Sequence, residues 1–85
     1  MMKMLKFYAQ WCAPCKALSL VMEKVNHNIP VGYIDIEKER DVAVYYGVRS
    51  VPLLLLIDEN DNIINRHNGA MTEDEFKKFI KVKDD

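Results

Sequence analysis

Seven consecutive apolar residues, Val51-Pro52-Leu53-Leu54-Leu55-Leu56-Ile57, run through a chain of only 85 residues. The run is too short for a bilayer helix and suits a strand. It does not alternate apolar with polar, so a strand here offers no face to water and must be covered on both sides. The simplest architecture that does so is one sheet with helices on each face. A second domain with its own core does not fit, and residues 1–85 are read as one domain.

The remaining segments supply the partners for that strand. Leu5, Phe7 and Ala9 alternate with Met4, Lys6 and Tyr8, which predicts a strand over about residues 2–8. Leu18, Val21, Met22 and Val25 fall at helical spacing, so a helix starts near Cys12 and ends before Asn26-His27-Asn28 and Pro30. Val31–Ile36 reads as a second strand. Lys38–Tyr46 reads as a second helix, with Gly47 as its C-terminal cap. Asp58-Glu59-Asn60-Asp61 is a turn into a fourth strand, Asn62–His67, and Asn68-Gly69-Ala70 is a loop. Thr72 and Glu75 form a capping box that opens a last helix buried through Phe76, Phe79 and Ile80. Lys81–Asp85 is expected to be a frayed polar tail. The order β-α-β-α-β-β-α, an α/β class, implies a right-handed β-α-β crossover followed by a hairpin. The expected result is a four-stranded mixed sheet with three helices.

Composition narrows the function classes. With 49% hydrophobic and 29% charged residues, the chain is too apolar to be disordered. Twelve basic and 13 acidic side chains are interspersed, without the basic footprint of a nucleic-acid binder or a polybasic membrane anchor. The opening Met1–Tyr8 has no apolar stretch of the kind that directs export, so a cytoplasmic protein is expected, with no nucleic-acid or membrane partner.

The two cysteines, Cys12 and Cys15, are the residues that carry chemistry. A structural disulfide three positions apart closes a tiny loop and constrains the unfolded chain little, so reactivity explains the pair better than stability does. The thiolate is the nucleophile in disulfide exchange. A cysteine in the first turn of a helix lies beside unpaired N–H groups and the positive end of the macrodipole, which favour that thiolate. Cys12 therefore reads as the attacking thiol, and Cys15, one turn further in and expected to be less exposed, as the resolving thiol. Pro14 fits the first turn, where its missing N–H costs nothing. A zinc site needs about four ligands. Beyond the cysteines only His27 and His67 offer themselves, without suitable spacing, so no metal and no cofactor are expected beyond a reversible Cys12–Cys15 disulfide.

At this level of detail the sequence resembles the thioredoxin family over nearly its whole length. Trp11-Cys12-Ala13-Pro14-Cys15-Lys16 is similar to the family's Trp-Cys-Gly-Pro-Cys-Lys, with Ala13 in place of Gly. The stretch from Tyr46 through Val51-Pro52 to Leu55 is similar to the segment that carries the family's cis-proline. Gly69-Ala70 matches the loop that completes the substrate groove. The resemblance implies a minimal thioredoxin fold and a groove lined by Trp11, Pro14, Val51, Pro52, Gly69 and Ala70. A substrate peptide would pair its backbone with Val51 as an added strand.

The chain also departs from the family. It is shorter than a typical thioredoxin and matches the bare core also found in glutaredoxins. Lys6 stands where a buried Asp is usual, and Tyr33 where the Lys that pairs with that Asp is usual. Two readings of Lys6 stay open. Its stem packs under the sheet edge while its ammonium reaches water, or the ammonium approaches Cys15 from beneath and favours the thiolates. Lys6, Ala13, Lys16 and Tyr33 are the residues expected to tune the pair. The resemblance implies a monomeric protein-disulfide reductase, with disulfide-containing proteins as substrates and a thioredoxin reductase or glutathione as electron donor. Two alternatives remain, a glutathione-coupled glutaredoxin-like reductase and a redox-independent binding module. Asn68–Asp74 lacks a glutaredoxin-like glutathione loop, which favours the first reading.

Overall fold

The structure is a computed structural model that describes residues 1–81; the expected polar tail lies, beyond Lys81, outside the described residues. The elements are β1 (Lys3–Tyr8), α1 (Ala13–Lys24), β2 (Val31–Asp35), α2 (Arg40–Tyr45), β3 (Leu53–Ile57), β4 (Ile63–Asn68) and α3 (Glu73–Ile80). They follow the expected β-α-β-α-β-β-α order. The strands form one mixed sheet in the order β2-β1-β3-β4. β1 runs parallel to β2 and antiparallel to β3, and β3 and β4 form an antiparallel hairpin.

The apolar run explains the layering. Every residue of β3 is buried. Leu54 and Leu56 face one side with Met4 of β1, and there they meet Leu18, Met22 and Val25 of the α1 segment and Phe76 and Phe79 of α3. Leu53, Leu55 and Ile57 face the other side with Leu5, Phe7 and Ile34, where Val42, Tyr46 and Val48 pack against them. A strand that feeds two cores cannot alternate apolar with polar. Each fully buried Leu or Phe stabilises the fold by about 1.5–3 kcal/mol relative to exposure.

Several boundaries differ from expectation by one or two residues, and three of them have a visible cause or consequence. β3 begins at Leu53 rather than Val51. Pro52 has no N–H to give the ladder, and its carbonyl instead accepts from Gly69 N–H at 2.9 Å. α2 begins at Arg40 rather than Lys38, because the N–H groups of Lys38 and Glu39 both donate to the Asp35 carbonyl in a turn that ties them to the end of β2. β4 ends at Asn68, whose backbone still pairs with Leu53. The expected caps are present. Gly47 adopts φ 67°, with Gly47 N–H donating to Val44 and Val48 N–H to Ala43, the paired bonds of a Schellman stop. Thr72 Oγ1 accepts from Glu75 N–H while Glu75 accepts from Thr72 N–H, closing the capping box of α3. Among the described residues no helix is long and apolar enough to cross a membrane.

Candidate active site

The junction of β1 and α1 places the two cysteines at the end of the sheet. Cys12 is the N-cap of α1, with extended backbone angles, and Pro14 lies in the first turn. The cap is made by sulfur: Cys12 Sγ accepts a hydrogen bond from Cys15 N–H at 3.1 Å, where an N-cap oxygen would ordinarily sit. Cys12 and Cys15 are joined as a disulfide. They cluster with Ala9 beneath Tyr8, Ile36 and Val51. The expectation that Cys15 is less exposed than Cys12 does not hold, since each is only 3% exposed. Both lie under the same apolar cover.

Opposite the pair, the Val51–Pro52 peptide bond is cis. Pro52 is buried and Val51 half-buried against the cysteines. Among the described residues, Val51 makes no backbone hydrogen bond, which leaves its N–H and C=O free for an extended partner. Gly69 has φ 95°, a conformation that favours glycine, and its N–H reaches the Pro52 carbonyl. The Asn68 amide donates to Ser50 Oγ at 3.2 Å, a second tie between the two loops. Ala70 is exposed, with His67 Nε2 at 3.2 Å from its carbonyl. Ala13, Pro14 and Lys16 are exposed on the first turn of α1. Trp11 is 68% exposed, and its indole N–H donates to Glu37 at 3.0 Å.

Behind the disulfide lies a cavity of about 220 Å³ whose walls include Lys6, Cys15, Lys16, Ser19 and Tyr33. The first reading of Lys6, in which its ammonium reaches water, is overturned: the residue is 2% exposed. Position 6 faces α1, and the end of the side chain is held there. Nζ donates to the Cys15 carbonyl at 2.8 Å and to Ser19 Oγ. It also lies 5.8 Å from the centre of the Tyr33 ring, its neighbour in the β1–β2 register. Burial pushes the Lys6 ammonium below its usual range, with the Glu23 carboxylate opposing the shift. Asp35, two residues along the same face of β2, is also buried. Its carboxyl is held below the ordinary range, chiefly by Glu37 N–H and also by the Gln10 amide.

Several of these contacts were not read from the sequence. Ser19 lies one helical turn after Cys15, a spacing that could have paired it with whatever approaches Cys15 from the sheet. Glu37 and the Asn68–Ser50 tie join residues remote in sequence and left no local signal. Among the described residues no group of three or more His, Cys, Asp or Glu side chains converges as a metal site.

A helix-capping disulfide thus faces a cis-proline across the end of the sheet. The thioredoxin family model matches residues 2–82. The chain belongs to the thioredoxin family. It is 36% identical over 78 residues to the thioredoxin of Buchnera aphidicola, covering 87% of this chain and 71% of that one. It is 34% identical over 79 residues to the mitochondrial thioredoxin of mouse, covering 88% of this chain but 47% of the relative, so it spans only about half of the mitochondrial proteins it matches. A thioredoxin variant from Halobacterium salinarum has the same fold, with a TM-score of 0.84 and 33% identity over 94% of this chain and 72% of that one. As a thioredoxin-family protein with a paired Cys12 and Cys15, the chain is a protein-disulfide oxidoreductase. Its redox carrier is the cysteine pair itself.

Proposed function

We propose that this protein reduces disulfides in other proteins by dithiol exchange, with Cys12 as the attacking thiol and Cys15 as the resolving thiol. The observation that carries the assignment is the sulfur cap of α1. In the reduced protein, the Cys12 thiolate would receive the Cys15 N–H and the field of the helix terminus. Cys12 Sγ attacks one substrate sulfur, the substrate S–S bond breaks, and the departing sulfur takes the electron pair and then a proton. Cys15 Sγ next attacks Cys12 Sγ. The mixed disulfide breaks, the second substrate sulfur leaves, and the Cys12–Cys15 disulfide remains. Two electrons from an external dithiol return the pair to its reduced state.

The unpaired backbone of Val51 offers an extended substrate segment one strand position beside the cysteines. Pro52, Gly69 and Ala70 form the loop side of that groove, with Trp11 and Pro14 on the helix side. Such a reductant works where thiols are kept reduced, and the proposed setting is a cytoplasmic monomer fed by a thioredoxin reductase.

Reduction of insulin, monitored as turbidity of the released chains, tests the reading with two electron sources in parallel. Turnover with a thioredoxin reductase and NADPH is expected, and Cys12→Ser abolishes it. Turnover with glutathione and its reductase alone supports the glutaredoxin-like alternative and overturns the choice of donor. Retention of all measurable function in Cys12→Ser would leave a binding module as the better description.

A further inference from the structure

Lys6 presents an electrostatic imbalance. Its side chain is almost wholly buried, and its two hydrogen-bond acceptors, the Cys15 carbonyl and Ser19 Oγ, are both neutral. No carboxylate pairs with it among the described residues. Removing one partner of a buried charge pair is strongly destabilising, because the remaining charge is left uncompensated. The charged and titratable groups around it can be named. From α1 come Cys15, Lys16 and Glu23, and Glu23 acts on Lys6 as a charge through space without forming an ion pair with it. From β2 come Tyr33, which offers its ring, and Asp35, whose oxygens are engaged by Glu37 N–H and Gln10. From β1 itself comes Tyr8, which shares the cavity. Lys16 adds a second positive charge to the same walls. None of these is an anion in contact with Nζ.

One group in that cavity becomes an anion during the reaction proposed above. We infer that Lys6, anchored on the Cys15 carbonyl and lining one cavity with Cys15, supplies the counter-charge that holds the Cys15 thiolate ready for the resolving step. While Cys12 is bonded to substrate, its sulfur carries no charge, and Cys15 is the only thiol left to ionise. With the ammonium beside it, Cys15 loses its proton to water before it attacks rather than to a base during the attack. Its Sγ then displaces the substrate sulfur from Cys12 Sγ, and that sulfur leaves with the electron pair. Lys6 is thus a positioning residue: it transfers no proton and forms no bond to substrate. The shift of its own ionisation by burial accords with a cation short of a partner. In the disulfide state the charge has no counter-ion in contact with it, and on reduction it becomes half of an ion pair.

The inference rests on Cys15 being the resolving thiol, but its test does not depend on which cysteine attacks first. In a Cys12→Ser background, Cys15 is the single thiol, and the serine preserves an N-cap acceptor. The rate of iodoacetamide alkylation is then measured against pH. With Lys6 present, the midpoint is expected below the ordinary cysteine value of about 8.5. Adding Lys6→Gln or Lys6→Met is expected to raise it by at least about one pH unit, a tenfold loss of thiolate at neutral pH. Lys6→Gln is the deciding variant, because its amide can still donate hydrogen bonds but carries no charge. If Gln leaves the midpoint in place, Lys6 serves only to pack and tie the helix, and the inference is wrong. A measurement that leaves Lys6 intact covers the case of misfolded variants. The Lys6 ¹³Cε signal in Cys12→Ser, followed by NMR, must step at the Cys15 midpoint, and a signal blind to that titration overturns the proposal equally. Failure of the functional reading would show elsewhere, as absent insulin turnover in the unmodified protein.

Discussion

If the sulfur of Cys12 caps α1, then the stability of the reduced protein must depend on pH near neutrality. The perturbation is reduction combined with Cys15→Ser, which leaves Cys12 as the only thiol and keeps the residue-15 N–H that donates to it at 3.1 Å in the disulfide form. A hydrogen bond to a charged acceptor contributes about 1.5–3 kcal/mol. The helix terminus adds about 0.3–1 kcal/mol for a negative charge in the first turn. Burial opposes both, because Cys12 is only 3% exposed and desolvation favours the neutral thiol. The balance leaves a net preference for the thiolate of about 1.4–2.7 kcal/mol, or one to two pH units.

The sign follows from linkage. A group that ionises more readily in the folded state contributes stability that is complete above its unfolded value, about 8.5 for a thiol, and is lost as pH falls through the folded value. Urea unfolding of reduced Cys15→Ser is therefore expected to show stability rising by about 1.4–2.7 kcal/mol between pH 6 and pH 9. The Cys12→Ser, Cys15→Ser double variant serves as the baseline, since its serine caps without titrating. If the two curves run parallel across that range, the Cys12 thiolate gains nothing from the helix. The choice of Cys12 as the attacking thiol would then lose its physical basis.

Other consequences are separable from the redox pair. Thr72→Ala removes the acceptor for Glu75 N–H and is expected to cost about 1 kcal/mol; for a chain of this size that lowers Tm by about 4–8 °C in a thermal melt, and an unchanged Tm would show that the box contributes nothing. Burial first, and then its hydrogen bond to Asp61, push the Tyr46 phenol up to about 12, so absorbance at 295 nm should show one tyrosine titrating near that pH, a step that disappears in Tyr46→Phe. The same shift makes the folded state the one that keeps the proton, so this contribution to stability is complete below about pH 10 and is lost as pH rises toward 12. Asp35, Asp58 and Glu75 are held below the ordinary carboxyl range mainly by backbone N–H donors. Their contribution is present above about pH 4 and is lost as pH falls further, so Asp35→Asn should flatten the acid limb of a urea-midpoint profile between pH 5 and pH 2.

The fold was largely legible because its determinants are local or periodic. The unalternating Leu53–Ile57 run required two cores, and the structure has them on opposite faces of β3. Gly47 and the Thr72–Glu75 box mark a helix end and a helix start through contacts within a few residues. The boundaries that moved did so through longer-range bonds. Pro52 turns its carbonyl to Gly69, and the Asp35 carbonyl captures the residues expected to open α2. A pattern of residue types carries no information about which remote carbonyl is free to accept.

The site divides along the same line. The Cys12–Pro14–Cys15 spacing forces a cap and a first turn wherever a helix follows a strand, so its placement could be inferred from the chain alone. What surrounds the pair could not be. Whether a lysine in a strand reaches water or turns inward depends on what the facing helix presents, and here α1 presents a carbonyl and a hydroxyl at the positions Nζ can reach. Alternation in β1 placed Lys6 on the same face as Met4, which is fully buried, and that parity was the available warning that position 6 has little water near it. A buried lysine on a core face requires an anion or a function. The proposed partner is Cys15, whose carbonyl already accepts from Nζ and whose sulfur can ionise only when the disulfide opens. On that proposal the charge arrangement of the oxidised protein is one half of a redox cycle, and reduction supplies the other half.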